Sequence, residues 1–140
     1  MALIFLLDSN AVIAIMAERP ACARAHFQRG LASGHAVAIP SVVELELWYG
    51  AFGSRRRTES EARLRGFLAT IVSVLAFDAE DAMTAAEVRA LLARQGTPIG
   101  PYDLLIAAQA LRRDATLVTA NLDEFARVPG LKCVNWEESR

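Results

Sequence analysis

The stretch Leu3-Ile4-Phe5-Leu6-Leu7-Asp8-Ser9-Asn10 runs through five apolar side chains without a polar interruption and then stops at a carboxylate. An unbroken apolar run of this kind predicts a strand covered on both faces, as in the middle of a parallel sheet. Asp8 then falls at the strand's carboxyl end. In open α/β sheets that edge is where ligands bind, because the loops leaving the strands diverge there and open a crevice. Asp8 or Ser9 also suits the cap of the helix that follows, so the weight given to a site depends on where the other acids fall.

Working outward, Ala11–Met16 continues as a short apolar helix that ends near Pro20, and Ala21–Leu31 reads as a second helix closed by Gly30 or Gly34. His35–Ile39 is a second buried strand. Beyond it, Pro40-Ser41-Val42-Val43-Glu44-Leu45-Glu46-Leu47-Trp48-Tyr49-Gly50-Ala51 carries two acids. Ser41 with Glu44 fits a capping box, which gives Glu44 a structural task. Glu46 lies two positions on, about 200° around a helix, so it shares its face with Val42, Val43, Tyr49 and Gly50 instead. A carboxylate on that largely apolar face calls for a cation or donors.

Thr58 with Glu61 fits a second capping box, ahead of Leu64, Phe67, Leu68 and Ile71 at amphipathic spacing, so the two helices form a hairpin. Arg55, Arg56, Arg57, Arg63 and Arg65 cluster at its tip and first turns. Ile71–Phe77 is a third strand. Asp78 and Asp81 cap an Ala-rich helix ending at Gly96, with Asp78 held in reserve as a site residue. Gly100–Leu111 is a helix apolar nearly all round and therefore buried, with Asp103 in its first turn, where the helix dipole favours the anion and lowers its pKa. Ala115–Thr119 is a fourth strand, followed by Asn121, Asp123 and Glu124, and Leu131–Val134 is a short fifth strand before a polar tail.

Strands and helices alternate throughout, which predicts a single α/β domain over residues 1–140, with a mainly parallel sheet of about five strands between helical layers. The 140 residues are 54% hydrophobic, enough for a sizeable core without disulfides or structural zinc. Cys22 and Cys133 are far apart and lack metal spacing, which suits a reducing cytoplasmic setting. There is no basic leader and no apolar segment of membrane-spanning length. The net charge of −1 would not draw in a polyanion, so a nucleic-acid site has to be local.

On the predicted sheet, Asp8, Asp103, Asn121 and Asp123 meet at one edge, and Glu46 leans over it. Carboxylates gathered without cations repel and raise one another's pKa. A hard divalent cation resolves this: Mg²⁺, or Mn²⁺ in its place, takes oxygen ligands and suits a site without His or Cys. Such a site serves phosphate-ester hydrolysis. A two-histidine ribonuclease is disfavoured, because His26 and His35 have no acid partner nearby and read as ordinary surface residues. A phosphoryl-aspartate mechanism on Asp8 would need an acid where Asn10 stands.

These residues resemble the PIN-domain ribonucleases, and within them the VapC toxins of bacterial and archaeal VapBC toxin–antitoxin pairs. The resemblance rests on LLDSNAVI at the start, ELWYGA from Glu46 to Ala51, PIGPYDLLIAAQAL from Pro98 to Leu111 and LVTANLDEFARVPGL from Leu117 to Leu131. It implies a PIN-like α/β/α sandwich, with Asp8 and Asp103 as principal metal ligands and Glu46 as the third acid. The family often reads Asp-Thr-Asn where this chain has Asp8-Ser9-Asn10. Many members carry Asp where Asn121 stands, which leaves the fourth position to Asn121, to a water it holds, or to Asp123. The resemblance further implies a toxin endoribonuclease, a homodimer, and a hetero-oligomer with a VapB antitoxin whose tail blocks the acidic groove. The alternatives are a housekeeping RNA-processing nuclease and a non-catalytic binding module on the same fold. Within this reading the arginine cluster holds the RNA backbone beyond the scissile phosphate.

Overall fold

A computed structural model describes residues 3–71 and 73–139. In chain order it contains β1 (Ile4–Leu7), α1 (Ser9–Ala17), α2 (Ala21–Ala32), β2 (Ala36–Pro40), α3 (Ser41–Phe52), α4 (Arg57–Leu68), β3 (Ser73–Leu75), α5 (Ala79–Gln95), α6 (Pro101–Arg112), β4 (Thr116–Val118), α7 (Leu122–Phe125) and β5 (Lys132–Val134). The expected third strand began at Ile71 and ran to Phe77. It is shorter, and Val72 lies outside the described residues.

The five strands pair in the order β3-β2-β1-β4-β5, and every pair is parallel. Leu6 and Leu7 are fully buried in the central strand, as the unbroken apolar run requires. With the strand order β3-β2-β1-β4-β5, the right-handed rule for parallel crossovers assigns α1 to α4 to one face and α5 to α7 to the other, giving three layers. Because the chain leaves β1 toward β2 while β4 lies on its other side, the connections part at the carboxyl ends of β1 and β4. The crevice of the sheet opens there.

Both hairpin capping boxes predicted from sequence are absent. Pro40 ends β2 and is itself the cap position of α3, so Ser41 is already helical and its hydroxyl makes no cap bond. In α4 the cap position is Arg56, Thr58 lies inside the first turn, and Glu61 pairs with Arg57 and Arg65 instead. The Asp78–Asp81 box is present, with each side chain accepting from the other's backbone N–H at 2.9 Å. Asp81 is fully buried and also receives Arg112 and Arg113 from the last turn of α6 and the residue after it. Asp78 shares Arg112, which holds its carboxyl well below the usual carboxylate range. Asp78 therefore clasps α5 to α6 at the end of α6 remote from Asp103, and it leaves the list of site candidates.

The two histidines are half-buried structural residues, in contrast to the surface positions expected of them. His35 Nδ1 accepts from the Leu3 N–H at 3.0 Å, and His26 stacks on Trp136. Trp136 is the hidden anchor of the tail that the sequence presents as polar: it is 5% exposed and packs against Phe5.

Candidate active site at the β1/β4 crevice

Asp8 follows β1 directly, and its backbone N–H bonds the Val118 carbonyl at 3.1 Å, which extends the β1–β4 pairing by one step beyond Leu7 and Val118. The side chain both caps α1 and faces the crevice. Oδ1 accepts from the Ala11 N–H at 2.8 Å, and the hydroxyl of buried Thr119 bonds the same carboxylate. Burial raises its pKa against those two bonds, with help from the charges of Glu137 and Glu46.

Glu46 reaches the site from α3, which packs against both α1 and α6. The Ser9 hydroxyl donates to Glu46 Oε1 at 2.5 Å, so the residue after Asp8 orients the second acid. Glu44 makes no side-chain hydrogen bond or ion pair among the described residues, and the helical turn between the two acids separates them as expected.

Asp103 occupies the third position of α6, after the cap residue Gly100 and Pro101. The dipole was expected to lower its pKa. Instead it is pushed up to about 6, first by burial, then by the charge of Glu124, by a hydrogen bond shared with Glu124, and by the charges of Asp8 and Glu46. At this position burial and neighbouring charge together outweigh the helix terminus, which is worth only about a few tenths to one kcal/mol at ordinary exposure.

Glu124 is the acid that the sequence reading passed over as a site residue. Its Oε1 accepts from the Gly100 N–H at 2.8 Å and its Oε2 from the Asn121 amide at 2.8 Å. These donors, the Gly100 N–H foremost, lower its pKa. In the Asp103–Glu124 pair the proton therefore resides on Asp103. Asn121 stands beside the site and holds Glu124, its own N–H bonding Thr119 Oγ1 at 3.0 Å. Asp123 is exposed, and no hydrogen bond or ion pair joins it to the other acids among the described residues. The signal available in the sequence was the one-turn helix after β4, which puts Asp123 and Glu124 on different sides.

Among the described residues, no three Asp, Glu, His or Cys side chains stand close enough to hold an ion by themselves. Each acid instead leans on protein donors: Asp8 on Ala11 and Thr119, Glu46 on Ser9, Glu124 on Gly100 and Asn121. The donor set is all oxygen, the setting of a hard cation that keeps part of its water shell.

The arginines divide. Arg56 pairs with Glu59, while Arg57 and Arg65 pair with Glu61 and lie over the rings of Phe52 and Trp48, at 4.5 and 4.9 Å from the ring centroids. Arg57 and Arg65 thereby brace the α3–α4 hairpin, while the Arg56 pair stays within the start of α4. Arg55 is exposed at the loop. Arg63 donates to the Met16 carbonyl at 3.3 Å and lines a groove of about 780 Å³ that also contains Ser9, Glu46 and Tyr102.

Comparison with known proteins places this geometry. The PIN domain model matches residues 5–131. The chain is 37% identical to the tRNA(fMet)-specific endonuclease VapC of Salmonella typhimurium and 41% identical to that of Shigella flexneri, in both cases over 94% of this chain and 97% of the relative. Its fold superposes on a chain of VapBC2 from Rickettsia felis, solved bound to a DNA fragment from their promoter, with a TM-score of 0.88, 34% identity, and coverage of 96% of this chain and 99% of that one. DNA-bound VapBC from Salmonella typhimurium gives a TM-score of 0.86 at 37% identity, covering 96% and 98%. The chain belongs to the PIN-domain family and, within it, to the VapC ribonucleases.

Proposed function

We propose that this protein is a Mg²⁺-dependent endoribonuclease, with Mn²⁺ able to substitute, and that it is the toxin of a pair whose VapB-type antitoxin inhibits it. The observation that supports the chemistry is that the charges of Glu124, Asp8 and Glu46 all act on Asp103 at the switch point of a parallel sheet, with no histidine or cysteine among these four. Burial and the charges of its neighbours raise the pKa of Asp103 to about 6. Four acids so placed favour a divalent cation over further protons. Asp8, Asp103 and Glu46 are the residues that would hold it, with Glu124 as the fourth acid in place of Asp123. The bound ion would polarise the scissile phosphate and activate water.

The remaining roles belong to the chain itself. Ser9 fixes the rotamer of Glu46, and Thr119 with the Ala11 N–H fixes that of Asp8, so both carboxylates are oriented before a substrate arrives. Glu124, anchored by Gly100 and Asn121, stays ionised and accepts the hydrogen bond it shares with protonated Asp103. Partnership with an antitoxin is supported by relatives solved as VapBC complexes.

The test is induction of the protein in a bacterial host, with 5′ ends of cellular RNA mapped with and without the reading frame directly upstream of its gene. New 5′ ends at a restricted set of sites, abolished by co-expression of that frame, are expected. An unchanged RNA profile under growth arrest would contradict the reading.

A further inference from the structure

The groove beside the acids has two features that neither the core nor the acid cluster explains. Tyr49 is 79% exposed and Tyr102 46% exposed, and both line the cavity wall together with Ser9 and Glu46. Tyr49 stands three residues after Glu46 on α3, hence on the same helix face, and Tyr102 directly precedes Asp103 on α6. Neither hydroxyl makes a hydrogen bond among the described residues. Away from the acids the same groove reaches Arg63, whose one hydrogen bond is to a backbone carbonyl and which forms no ion pair among the described residues. Its neighbours Arg56, Arg57 and Arg65 are all paired with glutamates.

Two uncovered aromatic rings beside a phosphate-cleaving centre, followed by an arginine without a carboxylate, match the repeating chemistry of one nucleic-acid strand: flat bases to stack and phosphates to neutralise. A base within a duplex has both faces covered by its neighbours, and only an unpaired segment can offer a face to a side chain. We propose that Tyr49 and Tyr102 are base-stacking residues that hold an unpaired RNA segment in this groove, with Arg63 on a phosphate of the same strand. This rests on the endoribonuclease reading and adds to it the side chains that hold the bases and a phosphate of the substrate strand.

The inference is tested by fluorescence anisotropy with Ca²⁺ in place of Mg²⁺, since Ca²⁺ also takes oxygen ligands. The probes are a mixed-sequence RNA strand of about a dozen nucleotides, an abasic ribose–phosphate strand of the same length, and a fully paired duplex. The native protein should prefer the base-bearing strand to both others by about tenfold per stacked ring. Tyr49→Ala/Tyr102→Ala should lose that preference, and Tyr49→Phe/Tyr102→Phe should keep it. Arg63→Ser should weaken the base-bearing and abasic strands alike and reduce the salt slope by about 0.7. Both tyrosines are exposed, so their replacement leaves the fold intact. Equal binding of base-bearing and abasic strands by the native protein, or a preference surviving in the double Ala variant, would overturn the inference. So would an Ala variant that binds RNA normally but escapes the antitoxin, which would assign the rings to a protein partner. Failure of the nuclease reading looks different: the native protein would then cut no RNA in Mg²⁺.

Discussion

Asp103 shows how far one residue's chemistry departs from its local rule. A first-turn carboxylate is ordinarily stabilised as the anion, yet this one has its pKa raised to about 6 from 3.8. Because the folded protein keeps a proton there that the unfolded chain has lost, stability from this group falls as pH rises between those two values. Glu124, whose pKa is lowered, works in the opposite sense: its contribution is present above its unfolded value and is lost as pH falls through its folded one. Asp103→Asn should therefore gain stability relative to the native protein, in chelator, as pH is raised from about 4 to about 7. Thermal melts across that range check it, and a constant or shrinking difference would contradict it. The same proton must leave for a cation to bind, so Mg²⁺ affinity measured calorimetrically should weaken below about pH 6.

The acids also rank. Glu46→Gln and Glu124→Gln should each impair RNA cleavage strongly, whereas Glu44→Gln and Asp123→Asn should leave it nearly intact and change stability by no more than about 0.5 kcal/mol. Initial rates and urea melts on the four variants decide the matter, and a reversed order within either pair would refute the assignment. Asp8, Glu46 and Asp103 were legible in the sequence because each punctuates a strong apolar pattern. Glu124 was not, because the choice between two adjacent acids is made by the Gly100 N–H, 24 residues away in sequence. Only the folded chain brings that donor to the helix after β4.

Among the elements, helix existence was well marked and helix starts were less so. Leu64 and Phe67 of α4 are buried and Leu68 is half-buried, as their spacing predicted, but neither hairpin capping box forms. A serine or threonine three residues before a glutamate specifies a cap only if the chain is still extended there, and at Ser41 the strand has already turned into a helix at Pro40. The Asp78–Asp81 box does form because two residues, Ala76 and Phe77, separate it from β3. Its second acid is also where α5 is locked to α6, fully buried between Arg112 and Arg113. Removing that charge strands two guanidinium groups and breaks the cap together. Asp81→Ala should cost about 3 kcal/mol in urea denaturation, and a loss below about 1 kcal/mol would mean that solvent already compensates the arginines.

At the scale of the molecule, five parallel strands in the order β3-β2-β1-β4-β5 turn three separated sequence motifs into one edge, which is why alternation of strands and helices was enough to bring Asp8 and Asp103 together. Strand order itself was not legible, since it depends on which crossovers the helices make, and the tail's anchorage through Trp136 was hidden in a polar context. Among the described residues no helix is long and apolar enough to cross a membrane. Among the described residues no ion pair joins Asp8, Glu46, Asp103 or Glu124 to a basic side chain, so Mg²⁺ should bind the folded form selectively and raise its melting temperature. The most direct measurement is RNA cleavage by purified native protein and Asp8→Asn, each first stripped with chelator and then titrated with Mg²⁺, with melts run in parallel. Cleavage that is absent in chelator, restored by Mg²⁺ only in the native protein, and accompanied by a Mg²⁺-dependent rise in melting temperature only there, is the predicted result. Full cleavage in chelator, or by a folded Asp8→Asn variant, would contradict the account.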